Sequence, residues 1–269
     1  MSMVQKCPFC GQDANGKYEP FKLPDARGSF SRICQCSSCR LLFRQVDGQQ
    51  DLSELYKVAW SDVDHHKQET GGTDAKLARV YAAKLAGSLG FKDFSGLKIL
   101  EFGAGDGSML EALSELGADV YGCEPFGYEE IKRKGFKAFR SLEEIPQGTQ
   151  FDGVVSIDVL EHVPAPWSTL QDLFALTASK GWLCVTTPNA NSLNARLSGP
   201  KWREMHNPGH LFFLTSRSLE AIFRHLGFTK TKKLKWFVQY SNNILKRSMH
   251  SLLQLSGLDG ELRYLINKS

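Results

Sequence analysis

Two groups of residues in this 269-residue chain have types and spacings that could do chemistry. The first is the run from Lys98 to Met109, where three alternating glycines, Gly103, Gly105 and Gly107, separate a short apolar stretch (Ile99, Leu100, Phe102) from Met109, Leu110 and Leu113 at helical spacing. That pattern predicts a buried parallel strand, a glycine loop and a helix start. Glycines there accept positive φ and let a ligand approach main-chain N–H groups at a helix N-terminus. A dinucleotide fingerprint is excluded because Ser108 stands where its third glycine should fall, and a Walker loop because no Gly-Lys-Ser/Thr follows. Glu101, just before the turn, is a poor neighbour for pyrophosphate and a good one for a cationic amine.

The second group is N-terminal, where five of the seven cysteines crowd into Cys7-Pro-Phe-Cys10 and Cys34-Gln-Cys36-Ser-Ser-Cys39. In a reducing compartment this density points to metal rather than disulfides. Two Cys-x-x-Cys turns brought together by a β-hairpin complete a closed tetrahedral zinc site, predicted from Cys7, Cys10, Cys36 and Cys39. Cys34 lies two residues before Cys36 on an extended segment, points the same way, and could take its place. Four thiolates leave no open position for water or substrate, so the zinc is expected to be structural.

Farther along, Ala118 to Pro125 reads as a second strand ending on Glu124, and Phe151 to Val163 as another strand with a Leu-Glu-His-Val ending. Gly181 to Asn189 reads as a third, and His210 to Phe228 as a closing segment that enters a helix. Together with the glycine loop these motifs, over roughly residues 95 to 230, resemble the class I S-adenosylmethionine-dependent methyltransferases. The resemblance implies a doubly wound, Rossmann-like α/β fold with a seven-stranded sheet. It implies a cofactor held by Gly103, Gly105 and Gly107, with Glu101 beside the amino group, Glu124 on the ribose hydroxyls and Asp158 lining the pocket; Asp158 could equally cap the following helix. Several sugar and natural-product methyltransferases carry a similar cysteine-rich N-terminal segment.

Methyl transfer requires an acceptor aligned with the methyl carbon and, for a hydroxyl acceptor, removal of one proton. His162, after Glu161, is the best single candidate for that base, set against a role in shaping the turn. His206 and His210 bracket Asn207-Pro208-Gly209 in a segment expected to face the acceptor and are further candidates. Pro208 and Gly209 forbid the regular helix that a two-histidine metal site would need. Among the tryptophans, Trp202 is the one expected to touch substrate, whereas Trp60, Trp167 and Trp236 read as packing residues; His65 and His66 read as solvated.

The elements that must position these groups divide into a zinc-ribbon-like segment (1–50), a helical cap or linker (51–94) and the methyltransferase domain (95–269). The cap helices are expected over the cofactor cleft, hinged at Thr70-Gly-Gly-Thr73. Lys230 to Val238 is expected as a sixth strand, Ser241 to Leu255 as an amphipathic helix that covers its own pocket or joins a homodimer, and Glu261 to Asn267 as the last strand. No apolar run approaches the roughly 20 residues that span a bilayer, and Met1 to Cys7 has no signal-peptide core, so a cytoplasmic location is expected.

A formal net charge of +4 is compatible with an anionic acceptor and too mild to argue for nucleic acid. The leading expectation is O-methylation of a small molecule or a sugar or glycan. Alternatives are a zinc-bearing RNA methyltransferase, a C- or N-methyltransferase of a natural product, and a non-catalytic cofactor- or partner-binding module. Ser156 to Glu161 lacks the polar-Pro-Pro-aromatic box that nucleobase nitrogen transfer would need, and Cys184 falls inside a buried strand.

Overall fold

A computed structural model describes residues 5–23, 30–45, 73–236 and 251–269. The expected hinge at 70–73, His65, His66, Trp60 and most of the Ser241–Leu255 helix lie outside the described residues or at their edge; 251–256 is helical.

The central sheet follows from short apolar runs separated by glycine and polar turns. Its strands are β6 (Lys98–Phe102), β7 (Asp119–Cys123), β8 (Lys137–Phe139), β9 (Phe151–Ile157), β10 (Thr177–Pro188), β12 (Thr231–Lys233) and β13 (Glu261–Asn267). They lie in the order β12-β13-β10-β9-β6-β7-β8. The five strands from β10 to β8 are parallel, while β13 runs antiparallel to both β10 and β12. The strand expected over Lys230–Val238 is therefore three residues long, and the neighbouring Trp236 is buried against Tyr81 and donates to Ser88 Oγ.

Successive residues serve opposite cores, as buried parallel strands require. Ile99 and Leu265 face one core with Trp182 and Cys184, whereas Leu100, Leu183, Val185 and Tyr264 face the other. The first core is covered by helices α1 (Thr73–Leu89) and α2 (Ser108–Glu115), the second by α4 (Pro166–Leu176) and α7 (Ser216–His225). Helix α3 (Tyr128–Arg133) joins β7 to β8. Helix α1 forms a layer of the core, with Ala82 and Leu85 fully buried against the sheet, and its Leu77 and Tyr81 line a pocket.

A second sheet is built from the N-terminal strands β1 (Gln5–Lys6), β2 (Asp13–Gly16), β4 (Phe30–Cys36) and β5 (Leu42–Gln45), with β3 (Phe21–Lys22) paired to β4. Its last strand is β11 (Phe212–Phe213), contributed by the C-terminal half, with Phe212 opposite Phe43 and Phe213 opposite Leu42. The N-terminal segment thus shares main-chain hydrogen bonds with the chain around His210. Trp202 lies beneath this junction, 4% exposed among Ile33, Leu42, Met205 and Phe213. The expectation that it touches substrate is corrected: the helical turns at 199–206 fold it inward.

Candidate active site and cysteine cluster

Sequence order reverses between β6 and β9, which places a crevice at the carboxyl ends of these two strands. The loop after β6 enters from one side. Gly103, Gly105 and Gly107 all have positive φ (78°, 56° and 82°), and Gly107 caps α2. A Cβ on Gly103 would collide with Val159, and one on Gly127, a residue the sequence pattern did not flag, would collide with the Gly105 carbonyl. Glu124 braces the loop: its carboxylate accepts from Gly105 N at 3.1 Å and Phe126 N at 3.0 Å. The cavity beside it, about 290 Å3, is walled by Phe102, Gly103, Cys123, Glu124, Phe126, Val159, His162 and Val163.

Beneath the loop Glu101 is 3% exposed, and its Oε2 is buried without a hydrogen-bond partner. Burial first, then Asp106 and Glu124, holds its carboxyl well above the usual carboxylate range. An orphaned acceptor among acidic neighbours fits a ligand ammonium, so these residues suit the amino-acid end of S-adenosylmethionine.

The other half of the crevice follows β9. Asp158 adopts φ 52°, a left-handed conformation that Asp tolerates better than most side chains, and accepts from Thr186 Oγ1 at 3.2 Å. It caps no helix, since α4 starts after Ala165. Glu161 accepts from Thr187 Oγ1 at 2.9 Å through Oε2, while its Oε1 is buried without a partner. Desolvation raises both carboxyls: Asp158, exposed on the cavity wall, to about 7, with Glu261 the next cause, and the buried Glu161 well above its ordinary value, with Asp158 next.

His162 Nδ1 lies 3.0 Å from the Gly209 carbonyl. A carbonyl only accepts, so the proton is assigned to Nδ1 and the Nε2 lone pair is left as the basic position. Burial holds His162 down to about 4, and the imidazole is neutral at ordinary pH. Its ring meets that of His210 edge-on, with centroids 4.5 Å apart; His210 is 4% exposed and lowered by burial and then by His162. One ligand atom each from Glu161, His162 and His210 lies within 4.8 Å of the others, close enough to share an ion. His206 departs from its expected place: Nε2 donates to the Pro200 carbonyl at 3.0 Å and the ring packs on Phe21, so it is absent from the acceptor lining. Pro208 and Gly209 turn the chain between the two histidines and send their rings apart.

These groups open on a second cavity of about 580 Å3, lined by Tyr81, Asp158, Glu161, His162, Glu204, His210, Asp259, Glu261 and Arg263 among others. His162 lines both cavities. Five carboxylates against two guanidiniums run opposite to the anionic acceptor that the net charge suggested.

Arg44 also escaped the sequence reading. It is 6% exposed on β5, where its Nε donates to the His210 carbonyl at 2.9 Å and its Nη2 to those of Met205 and Asn207, each at 3.0 Å; Nη1 donates to Ser31 Oγ. The signal was available in the sequence: a cation closing the apolar run Leu41-Leu42-Phe43 on a strand that must bury its side chains. Behind it the four cysteines converge. Sulfur separations are 3.7 Å for Cys7 and Cys39, 3.5 Å for Cys10 and Cys36, and 3.7 Å for Cys10 and Cys39. A tetrahedron with Zn–S of about 2.3 Å has edges near 3.8 Å, so the cluster fits a small zinc-binding segment. Cys34 is buried elsewhere and belongs to no such group, so it does not replace Cys36.

A family model described as a methyltransferase domain matches residues 74–233. Ubiquinone biosynthesis O-methyltransferases are similar: the mitochondrial protein of Bos taurus is 35% identical over 120 residues, covering 39% of this chain and 32% of its own length. That of Psychrobacter arcticus is 30% identical over 156 residues, covering 51% of this chain and 60% of its own. The chain thus spans about a third to three fifths of these two relatives. Among solved structures, a SAM-dependent methyltransferase from Thermotoga maritima superposes with a TM-score of 0.57 at 17% identity, covering 80% of this chain and all of the other. The plantazolicin methyltransferase BpumL, solved with S-adenosylhomocysteine, gives 0.55 at 17%, covering 81% and 95%. These structures share the fold. No helix among the described residues is long and apolar enough to cross a membrane.

Proposed function

Because this chain belongs to the class I S-adenosylmethionine-dependent methyltransferases, we propose that it methylates an oxygen of a small molecule that enters the acidic cavity. The observation that carries the reading is that His162 lines both cavities, the one framed by the glycine loop and the one framed by carboxylates. The names of the similar ubiquinone biosynthesis enzymes support oxygen as the acceptor atom.

When bound, the cofactor supplies an electrophilic methyl group on a sulfonium. Glu101 would receive its ammonium, Gly103, Gly105 and Gly107 would admit it to main-chain N–H groups, and Glu124, which braces the loop, would hold the ribose hydroxyls. Asp158 belongs to the acceptor side instead, where it lines the larger cavity. His162, neutral and fixed by Gly209, presents Nε2 to take the acceptor proton, and His210 packs against its ring to hold that orientation. Cys7, Cys10, Cys36 and Cys39 would hold a structural zinc ion.

The test is calorimetric titration with S-adenosylhomocysteine, followed by methyl transfer to a panel of phenols and polyols. Wild type should bind in the micromolar range, and Gly105→Val should not, because valine cannot adopt its φ of 56° without strain. His162→Ala should keep that affinity and lower kcat by about 100-fold. Wild-type protein that carries zinc and binds no S-adenosylhomocysteine would refute the reading.

A further inference from the structure

The larger cavity holds more acidic groups than the cations among its described lining pair with. Arg263 is spent on Asp259 at 2.7 Å and Glu261 at 2.8 Å, and Arg203 on Glu204 at 2.8 Å, its side chain 89% exposed. Both histidines are held neutral. Asp158 and Glu161 are left facing the cavity with hydroxyl partners from Thr186 and Thr187 and no cation of the described residues paired to either. Glu161 is 2% exposed and its Oε1 has no hydrogen-bond partner, so a residue of the cavity wall carries an unsatisfied acceptor. Burying a carboxylate in that state is unfavourable unless something donates to it.

We propose that the molecule methylated here carries a protonated amine, which docks against Asp158 and Glu161 while another part of the same molecule meets His162. This deepens the methyl-transfer reading and rests on it. An ammonium offers three donors and one charge, which matches an orphaned carboxylate oxygen beside a second carboxylate. A cavity of about 580 Å3 holds a molecule of some size, far more space than one divalent ion fills.

The experiment uses the full-length protein saturated with S-adenosylhomocysteine and three probes of one shape: dopamine, 4-ethylcatechol and dihydrocaffeate, which differ in carrying a cation, no charge or an anion. Dopamine should bind about tenfold more tightly than 4-ethylcatechol, and dihydrocaffeate more weakly than either. Asp158→Asn should bring the dopamine preference close to unity and leave S-adenosylhomocysteine affinity unchanged. Dopamine that binds no better than 4-ethylcatechol, or not at all at millimolar concentration, overturns the proposal. So does displacement of dopamine by Mg2+ alone, which would assign the carboxylates to a metal ion. Loss of S-adenosylhomocysteine binding itself would instead bring down the methyl-transfer reading, and this inference with it.

Discussion

The two halves of the crevice are built in opposite ways. On the cofactor side, Glu101, the glycine loop and Glu124 fall within one strand-loop-helix-strand unit, and the smaller cavity has a largely apolar wall. On the acceptor side, Asp158, Glu161 and His162 come from the end of β9, His210 from the loop before β11, and Glu261 and Arg263 from β13; Arg44, on an N-terminal strand, holds the His210 loop by its carbonyls. A local unit needs only correct backbone turns. An assembled one needs every distant element in place, so the two halves should fail independently.

The largest expected effect is on the local side. Gly127→Val drives a side chain into the Gly105 carbonyl, and S-adenosylhomocysteine affinity should fall by at least about 100-fold, or 2.7 kcal/mol, in calorimetry. Next comes the assembled side. Removal of zinc by a chelator, or Cys39→Ser, should loosen the N-terminal sheet that ends on β11. Methyl transfer should drop by about tenfold or more while S-adenosylhomocysteine affinity stays within about threefold. Equal loss of both would break the contrast between the halves.

Arg44→Met removes the donor to three buried carbonyls and should lower unfolding free energy in urea by about 2–4 kcal/mol; Arg44→Lys should not restore it, since one ammonium cannot reproduce the fork.

The smallest effect sharpens the contrast through pH. A carboxyl raised to about 7 from 3.8 contributes stability that is fully present below pH 3.8 and is lost as pH rises through about 7. Asp158→Asn keeps the left-handed backbone and removes that loss, so the variant should be more stable than wild type at pH 8 and much less so at pH 5, by a margin that solvent at this exposed position keeps small. His162 acts with the opposite sign. Lowered from 6.5 to about 4, it favours folding above pH 6.5, and that contribution is lost as pH falls toward 4. A gain at pH 8 accompanied by weaker acceptor binding would show that the carboxylate is kept for its ligand.

Legibility followed the same division. The glycine loop, Glu124 and the cysteine pairs could be read because their chemistry depends on short spacings, and the structure places them together. Trp202 and His206 were misplaced because both sit in short helical turns between Leu193 and His206, whose direction is decided by packing on the N-terminal hairpin. Gly127 went unnoticed because its role depends on the close passage of another loop, twenty-two residues earlier in the chain.

By itself the sequence determined the strand-loop-helix order, the positive-φ glycines, the carboxylate at the end of the second core strand and the two cysteine pairs that converge, since local sterics and covalent spacing act over a few residues. Tertiary structure alone decided that β11 would join the N-terminal sheet, that Arg44 would seize the His210 loop, and that Asp158 and Glu161 would share a cavity with the Asp259–Arg263–Glu261 cluster. Those outcomes depend on burial and on contacts between segments as far apart in the chain as Leu42 and Phe213, and no short pattern carries that information.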